Sequence, residues 1–125
     1  MPDPKNSPGQ IAWRDLTVPD AASIRDFYSS VVGWRAEPVD MGGYSDFNML
    51  PAAGSEPVAG ICYARAGNAN LPAQWLIYIT VEDLEQSLRR CVELGGKVID
   101  GPRKAGQQRY CVIQDPAGAV AALIA

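Results

Sequence analysis

Apolar positions along the chain change period in a recurring order. From Ile11 to Val18 and again from Trp75 to Val81 the chain reads as a strand. In each, one parity is largely aliphatic: Leu16 and Val18 in the first, Ile77, Ile79 and Val81 in the second. Each run leads into a period of 3.6. Ile24, Phe27, Tyr28 and Val31 form one helical stripe, and Leu84, Leu88, Cys91 and Val92 form another. Asp20 and Asp83 stand where an N-cap is needed, and Gln86 follows Asp83 at capping-box spacing. Gly33 and Gly95-Gly96 close the helices, where a left-handed residue is called for. After each helix come three short strands. They are expected near 34–39, 43–50 and 57–64, then near 97–100, 109–114 and 119–125. Asp115-Pro116-Ala117-Gly118 has the residues of a type I turn and joins the last two as a hairpin.

The two series are one repeat. Thr17-Val18-Pro19-Asp20 recurs as Thr80-Val81-Glu82-Asp83, 63 positions on. At that offset Leu16 meets Ile79, Gly33 meets Gly96 and Phe47 meets Tyr110. The expected fold class is therefore α+β: βαβββ twice. The first module covers about 11–66 and the second about 73–125, joined by a linker at about 67–72. Residues 1–10, polar and holding three prolines, are expected to be a flexible arm.

Composition narrows the function classes. The 125 residues suit one domain, and 47% hydrophobic residues suffice for a core. The net charge of −3 is scattered, so nucleic acid is not an expected partner. No apolar run reaches bilayer length, so no membrane partner is expected. Without a signal-peptide pattern, the cytoplasm is the expected location. Cys62, Cys91 and Cys111 form no CxxC pair and are read as free, mostly buried thiols. The chain has no His, which excludes Ser-His-Asp and Cys-His catalysis. No phosphate loop, dinucleotide fingerprint or nucleophile elbow is present.

Several motifs, in this order and spacing, resemble the vicinal oxygen chelate superfamily, which includes glyoxalase I, bleomycin-resistance proteins and extradiol dioxygenases. In the first half they are Trp13-Arg14-Asp15-Leu16-Thr17-Val18 with Asp20, then Phe27-Tyr28 and Val32-Gly33-Trp34. In the second they are Trp75-Leu76-Ile77-Tyr78 with Val81 and Asp83, Leu94-Gly95-Gly96-Lys97-Val98, Gly101-Pro102, Arg109-Tyr110 and Asp115-Pro116-Ala117-Gly118-Ala119. The resemblance covers about 11–125. It implies a partly open, barrel-like sheet with helices outside, a ligand cleft between the modules, and a homodimer. The Met41-Gly42-Gly43 stretch resembles the family's mobile turn before the middle strand.

Metal-dependent members ligate a divalent ion from the first and last strands of the modules. Carried over, those positions fall on Trp13, Leu76, Ala122 and a residue near 59–61, none of them a metal ligand. No metal and no cofactor is expected. By alternation, Trp13, Asp15 and Thr17 share one face and Leu76, Tyr78 and Thr80 another. Tyr44, Phe47 and Met49 lie on the middle strand of the first module, with the inward face open. Arg109 and Cys111 share a strand face whose direction is also open. The expected ligand-binding set is thus Trp13, Asp15, Thr17, Tyr44, Phe47, Met49, Leu76, Tyr78, Arg109, Cys111 and Ala122. A carboxylate in an apolar cleft is costly unless paired or wet. Asp15 therefore either binds a ligand amine or hydroxyl, acts as a general base, or pairs structurally, for example with Arg109.

Three functions remain. The favoured one is a metal-independent small-molecule-binding protein. The second is a metal-independent lyase or isomerase using Asp15 or Tyr78 as acid–base groups. The third is a structural or interaction protein with a filled interior, in which Trp13 and Tyr78 are core residues.

Overall fold

The computed structural model describes residues 7–125. Eight strands and two helices follow one another as βαβββ twice, an α+β fold. In chain order they are β1 (Ile11–Val18), α1 (Ala21–Val32), β2 (Arg35–Asp40), β3 (Ser45–Leu50), β4 (Ala59–Tyr63), β5 (Trp75–Thr80), α2 (Leu84–Glu93), β6 (Lys97–Ala105), β7 (Gln108–Gln114) and β8 (Val120–Ile124). Residue contacts divide the chain into two compact units, one of residues 14–75 and one of residues 7–13 with 76–125. Residues 1–6 of the expected arm lie outside the described residues. Gln10 closes a turn onto Ser7, the Gly9 N–H donates to the Thr80 carbonyl, and the Gln10 carbonyl accepts from Thr80, each at 2.8–3.0 Å. The end of the arm is therefore held to β5.

In the first unit the strand order is β2-β3-β4-β1. β1 runs parallel to β4, with Thr17 opposite Cys62. β4 is antiparallel to β3, with Phe47 opposite Ile61. Asp20 caps α1 by accepting from the Ser23 N–H at 3.1 Å. Gly33, at φ 78°, ends it in the left-handed region that a side chain would strain. Leu16, Val18, Phe47, Met49 and Ile61 pack beneath α1 with Ala21, Ile24 and Tyr28. The predicted α1 stripe is only half used: Ile24 and Tyr28 enter the core, whereas Phe27 and Val31 are exposed.

The second unit repeats the plan in the order β5-β8-β7-β6. Asp83 caps α2 through the Gln86 N–H at 3.1 Å. The helix ends in a Schellman motif: the Gly95 N–H donates to Val92 and the Gly96 N–H to Cys91. A side chain at Gly96 would lie 2.6 Å from the Cys91 sulfur and 2.9 Å from the Gln114 carbonyl, so the helix end packs there only without one. Leu84, Cys111 and Leu123 form the core beneath α2, with Ile79, Val81, Leu88 and Ile113 against it. Ile77, expected there too, is exposed. The 115–118 turn closes as predicted, with the Gly118 N–H on the Asp115 carbonyl at 2.9 Å.

Two elements differ from the sequence reading. β6 does not stop at Asp100 but runs to Ala105, because the ladder to β7 absorbs Gly101-Pro102 as a register shift between Asp100 and Arg103. The linker holds a single 3-10 turn, Ala66–Asn68, in which the Arg65 N–H donates to the Asn68 side chain.

Candidate functional site

Each module has a helix-covered face and a helix-free face, and strand parity assigns every predicted residue to one of them. In the first module Leu16, Val18, Phe47, Met49 and Ile61 lie under α1. Asp15, Thr17, Asp46, Asn48 and Cys62 therefore take the opposite face, where the register brings Thr17 beside Cys62 and Asp15 beside Gly60.

That face gathers two carboxylates around one thiol. Asp46 is buried, and its Oδ1 accepts from the Tyr63 N–H at 2.9 Å, so an otherwise costly charge is satisfied by backbone. Burial pushes the Cys62 thiol far above its ordinary range, and the carboxylates of Asp15 and Asp46 push it further the same way. Cys62 is thus a neutral, weakly nucleophilic thiol, unsuited to thiolate chemistry. Thr17 is buried, whereas Asp15, Asn48 and Cys62 are half-buried.

Phe47 and Met49 are placed differently from this polar set. Both belong to the apolar cluster under α1, where the Arg25 guanidinium lies over the Phe47 ring at 4.6 Å. Tyr44, just before β3, stacks against the Arg65 guanidinium at 3.8 Å and meets Tyr63 edge-on at 6.1 Å.

In the second module the helix-free face carries Leu76, Tyr78, Thr80, Tyr110, Val112 and Ala122. Tyr78 pairs with Ala122 across β5 and β8, and its ring lies 5.8 Å from that of Tyr110. The face is closed: Leu76 is 1% exposed, and Val112 and Ala122 are 0% exposed. Burying such side chains stabilises the fold by about 1.5–3 kcal/mol each, but leaves them no free surface. Cys111 and Arg109 point the other way. Cys111 is fully buried in the α2 core with its thiol 3.1 Å from the Asp100 carbonyl, and burial raises its pKa. Arg109 pairs with Glu85 of α2, and its hydrogen bond holds the Glu85 carboxyl below the ordinary range. The structural partner suggested for Asp15 is thus engaged elsewhere. Trp13, the third residue of β1 and of the same parity as Asp15 and Thr17, is half-buried.

Asp46, Asn48 and Cys62 of the first module's helix-free face, and Arg103 in the second module, lie outside the expected set. Asp46 alternates with Phe47 along β3, a signal that was present but read only for its aromatic partner. Arg103 forms a bidentate pair with Asp100 at 2.7 and 2.8 Å, opposite Tyr110. The pair holds the Asp100 carboxyl below its ordinary range. It lies past Gly101-Pro102, where the strand was expected to have ended.

The positions that metal-dependent relatives use hold Trp13, Leu76, Ala122 and the stretch Ala59-Gly60-Ile61. None supplies a lone pair of the kind zinc, iron or nickel requires. Among the described residues no group of three or more His, Cys, Asp or Glu is arranged to hold a metal ion. The residues present do not fit the family's divalent metal. Among the described residues no helix is long and apolar enough to cross a membrane.

Comparison with known proteins agrees with the fold. The family model of the glyoxalase-like domain matches residues 13–124. The anthracycline biosynthesis protein DnrV of Streptomyces peucetius is 36% identical over 129 residues, covering 94% of this chain and 47% of that protein. The chain thus spans about half the length of the curated relatives it matches. Among solved structures, a glyoxalase/bleomycin resistance protein/dioxygenase superfamily member from Vibrio splendidus 12B01 aligns with a TM-score of 0.57 at 14% identity, covering 90% of this chain and 95% of that one. A Streptomyces coelicolor methylmalonyl-CoA epimerase aligns with a TM-score of 0.52 at 15% identity, covering 94% of each chain. At these identities the structures establish the fold alone.

Proposed function

Because the chain belongs to the glyoxalase-like domain family, we propose that it is a metal-independent small-molecule-binding protein whose ligand rests on the helix-free face of the first module. The observation that carries this reading is the contrast between chemistry present and chemistry missing. The family's metal positions hold apolar side chains, while Asp15, Asn48 and Cys62 stand half-buried around the buried Thr17 and Asp46. The ligand is a small aromatic molecule bearing an amine or hydroxyl, oriented by the Asp15 carboxylate. The match to an anthracycline biosynthesis protein supports a small-molecule ligand. The function is binding, and Leu76, Tyr78 and Ala122 of the second module are core side chains rather than ligand contacts.

A charge-assisted hydrogen bond contributes about 1.5–3 kcal/mol, so Asp15→Asn should weaken binding by about tenfold to a hundredfold. The test is a thermal-shift panel of aromatic amines, phenols and quinones on the wild type and Asp15→Asn. A ligand that prefers the native state raises the melting temperature. The expected result is a shift with the wild type that shrinks in the variant. No shift with any panel member would overturn the proposal in favour of a filled, purely structural interior. Binding that survives Asp15→Asn while a turnover is lost would favour the lyase or isomerase reading. We also propose that the chain pairs as a homodimer, which sedimentation of the purified protein tests.

A further inference from the structure

Beneath α1, on the side of the sheet opposite Asp15, the first module holds a cavity of about 260 Å³. Leu16, Val18 and Ile24 make its aliphatic floor, and Phe27, Tyr28 and Trp75 make its walls. The walls are positioned by one another. Trp75 meets Tyr28 edge-on at 5.3 Å and Trp34 edge-on at 5.8 Å, and Tyr28 lies 5.8 Å from Trp34, so three rings close a triangle. The Trp75 indole N–H donates to the Tyr28 hydroxyl oxygen at 3.0 Å. That bond uses the oxygen as acceptor and leaves the phenolic proton able to donate. Phe27, 54% exposed, stands at the rim.

The space opens to the surface beside the exposed Phe27, so a guest can enter it. An apolar cavity of about 150 Å³ suffices for benzene, and this one has room for a second fused ring. The perpendicular rings of Phe27, Tyr28 and Trp75 along the slot favour a flat guest through edge-to-face contact. The lining holds no carboxylate, which disfavours a cation. We infer that this cavity is a binding site for a small, neutral, planar aromatic molecule of one or two rings, whose oxygen accepts from the Tyr28 hydroxyl. It is separate from the face proposed above and does not depend on it.

The experiment is an NMR titration of 15N-labelled protein with 2-naphthol. Saturating shifts are expected at the Trp75 indole N–H and at the amides of Ile24 and Phe27. Ile24→Phe places a ring in the space and should weaken binding at least tenfold. Should that variant not fold, Phe27→Asp at the exposed rim charges the mouth and should give the same loss. Shifts at Trp75, Ile24 and Phe27 report this site by position, apart from any binding on the face that carries Asp15. Absence of saturating shifts up to the solubility of 2-naphthol, or undiminished affinity in the filled variant, would overturn the inference. So would self-association that Phe27→Asp abolishes in a protein that takes up no 2-naphthol, since a second copy would then be the occupant.

Discussion

The two modules share a chain plan and differ in what their helix-free faces hold. Under the helices they are alike: Leu16 and Val18 do for α1 what Ile79 and Val81 do for α2, and each helix starts on an Asp cap. On the other face the first module carries Asp15, Thr17, Asp46, Asn48 and Cys62, whereas the second carries mainly Leu76, Tyr78, Tyr110, Val112 and Ala122, with Thr80 and, at its edge, the Asp100–Arg103 pair. The repeated pattern therefore specifies the fold through one parity of each strand. The other parity is free to diverge, and there one module became polar and the other apolar. Asp15, Asn48 and Cys62 of the polar face are half-buried, whereas Leu76, Val112 and Ala122 of the apolar face are fully buried and contribute stability.

The comparison breaks first at Tyr78. If the second face is packed wall, Tyr78→Ala should cost about 3–5 kcal/mol, as truncation of a core aromatic does. Chemical denaturation measures this, and a loss below about 1 kcal/mol would reopen Tyr78 as a ligand or acid–base group. Next is Asp46→Asn, which turns a charge-assisted acceptor of the Tyr63 N–H into a neutral one. A cost of about 1–3 kcal/mol is expected, and it would show that part of the polar face is structural.

A smaller effect belongs to the Asp100–Arg103 pair. Arg103 is substantially exposed, so screening limits Asp100→Asn to about 0.5–1 kcal/mol. The Asp100 carboxyl is held below its ordinary value, so its contribution is present above about pH 4 and is lost as pH falls through the lower folded value. The wild type and Asp100→Asn should converge in stability in strong acid. Cys62 acts at the other end of the scale. Its pKa is raised, so the folded chain keeps a proton that the unfolded chain releases above about pH 9. Stability should fall as pH rises beyond that point, and Cys62→Ala should flatten the decline. Asp15→Asn is expected to remove most ligand affinity while costing less stability than Asp46→Asn, since Asp15 is half-buried and Asp46 is buried. A large stability loss there would move Asp15 from the ligand to the scaffold.

Much of the fold was legible because local chemistry and periodicity agreed. Asp20, Gly33, Asp83, Gly95-Gly96 and the 115–118 turn each act at the predicted place. The site was less legible, for three physical reasons. Alternation along Asp46-Phe47-Asn48-Met49 separates two faces but does not say which lies under α1; the pairing of Phe47 with Ile61 decides that, and it is a long-range fact. Gly101-Pro102 reads as a strand end, yet the ladder continues through it and brings Arg103 beside Tyr110. The triangle of Tyr28, Trp34 and Trp75 joins a helix, the start of a strand and the entry to the second module, so no sequence window contains it.

The most direct test of metal-independent binding on the first face is calorimetric titration with the strongest member of the ligand panel. The protein is first stripped with a chelator, then measured again after addition of nickel. The account predicts the same dissociation constant in both states. Binding that appears only with the metal, or tightens tenfold with it, would contradict the account.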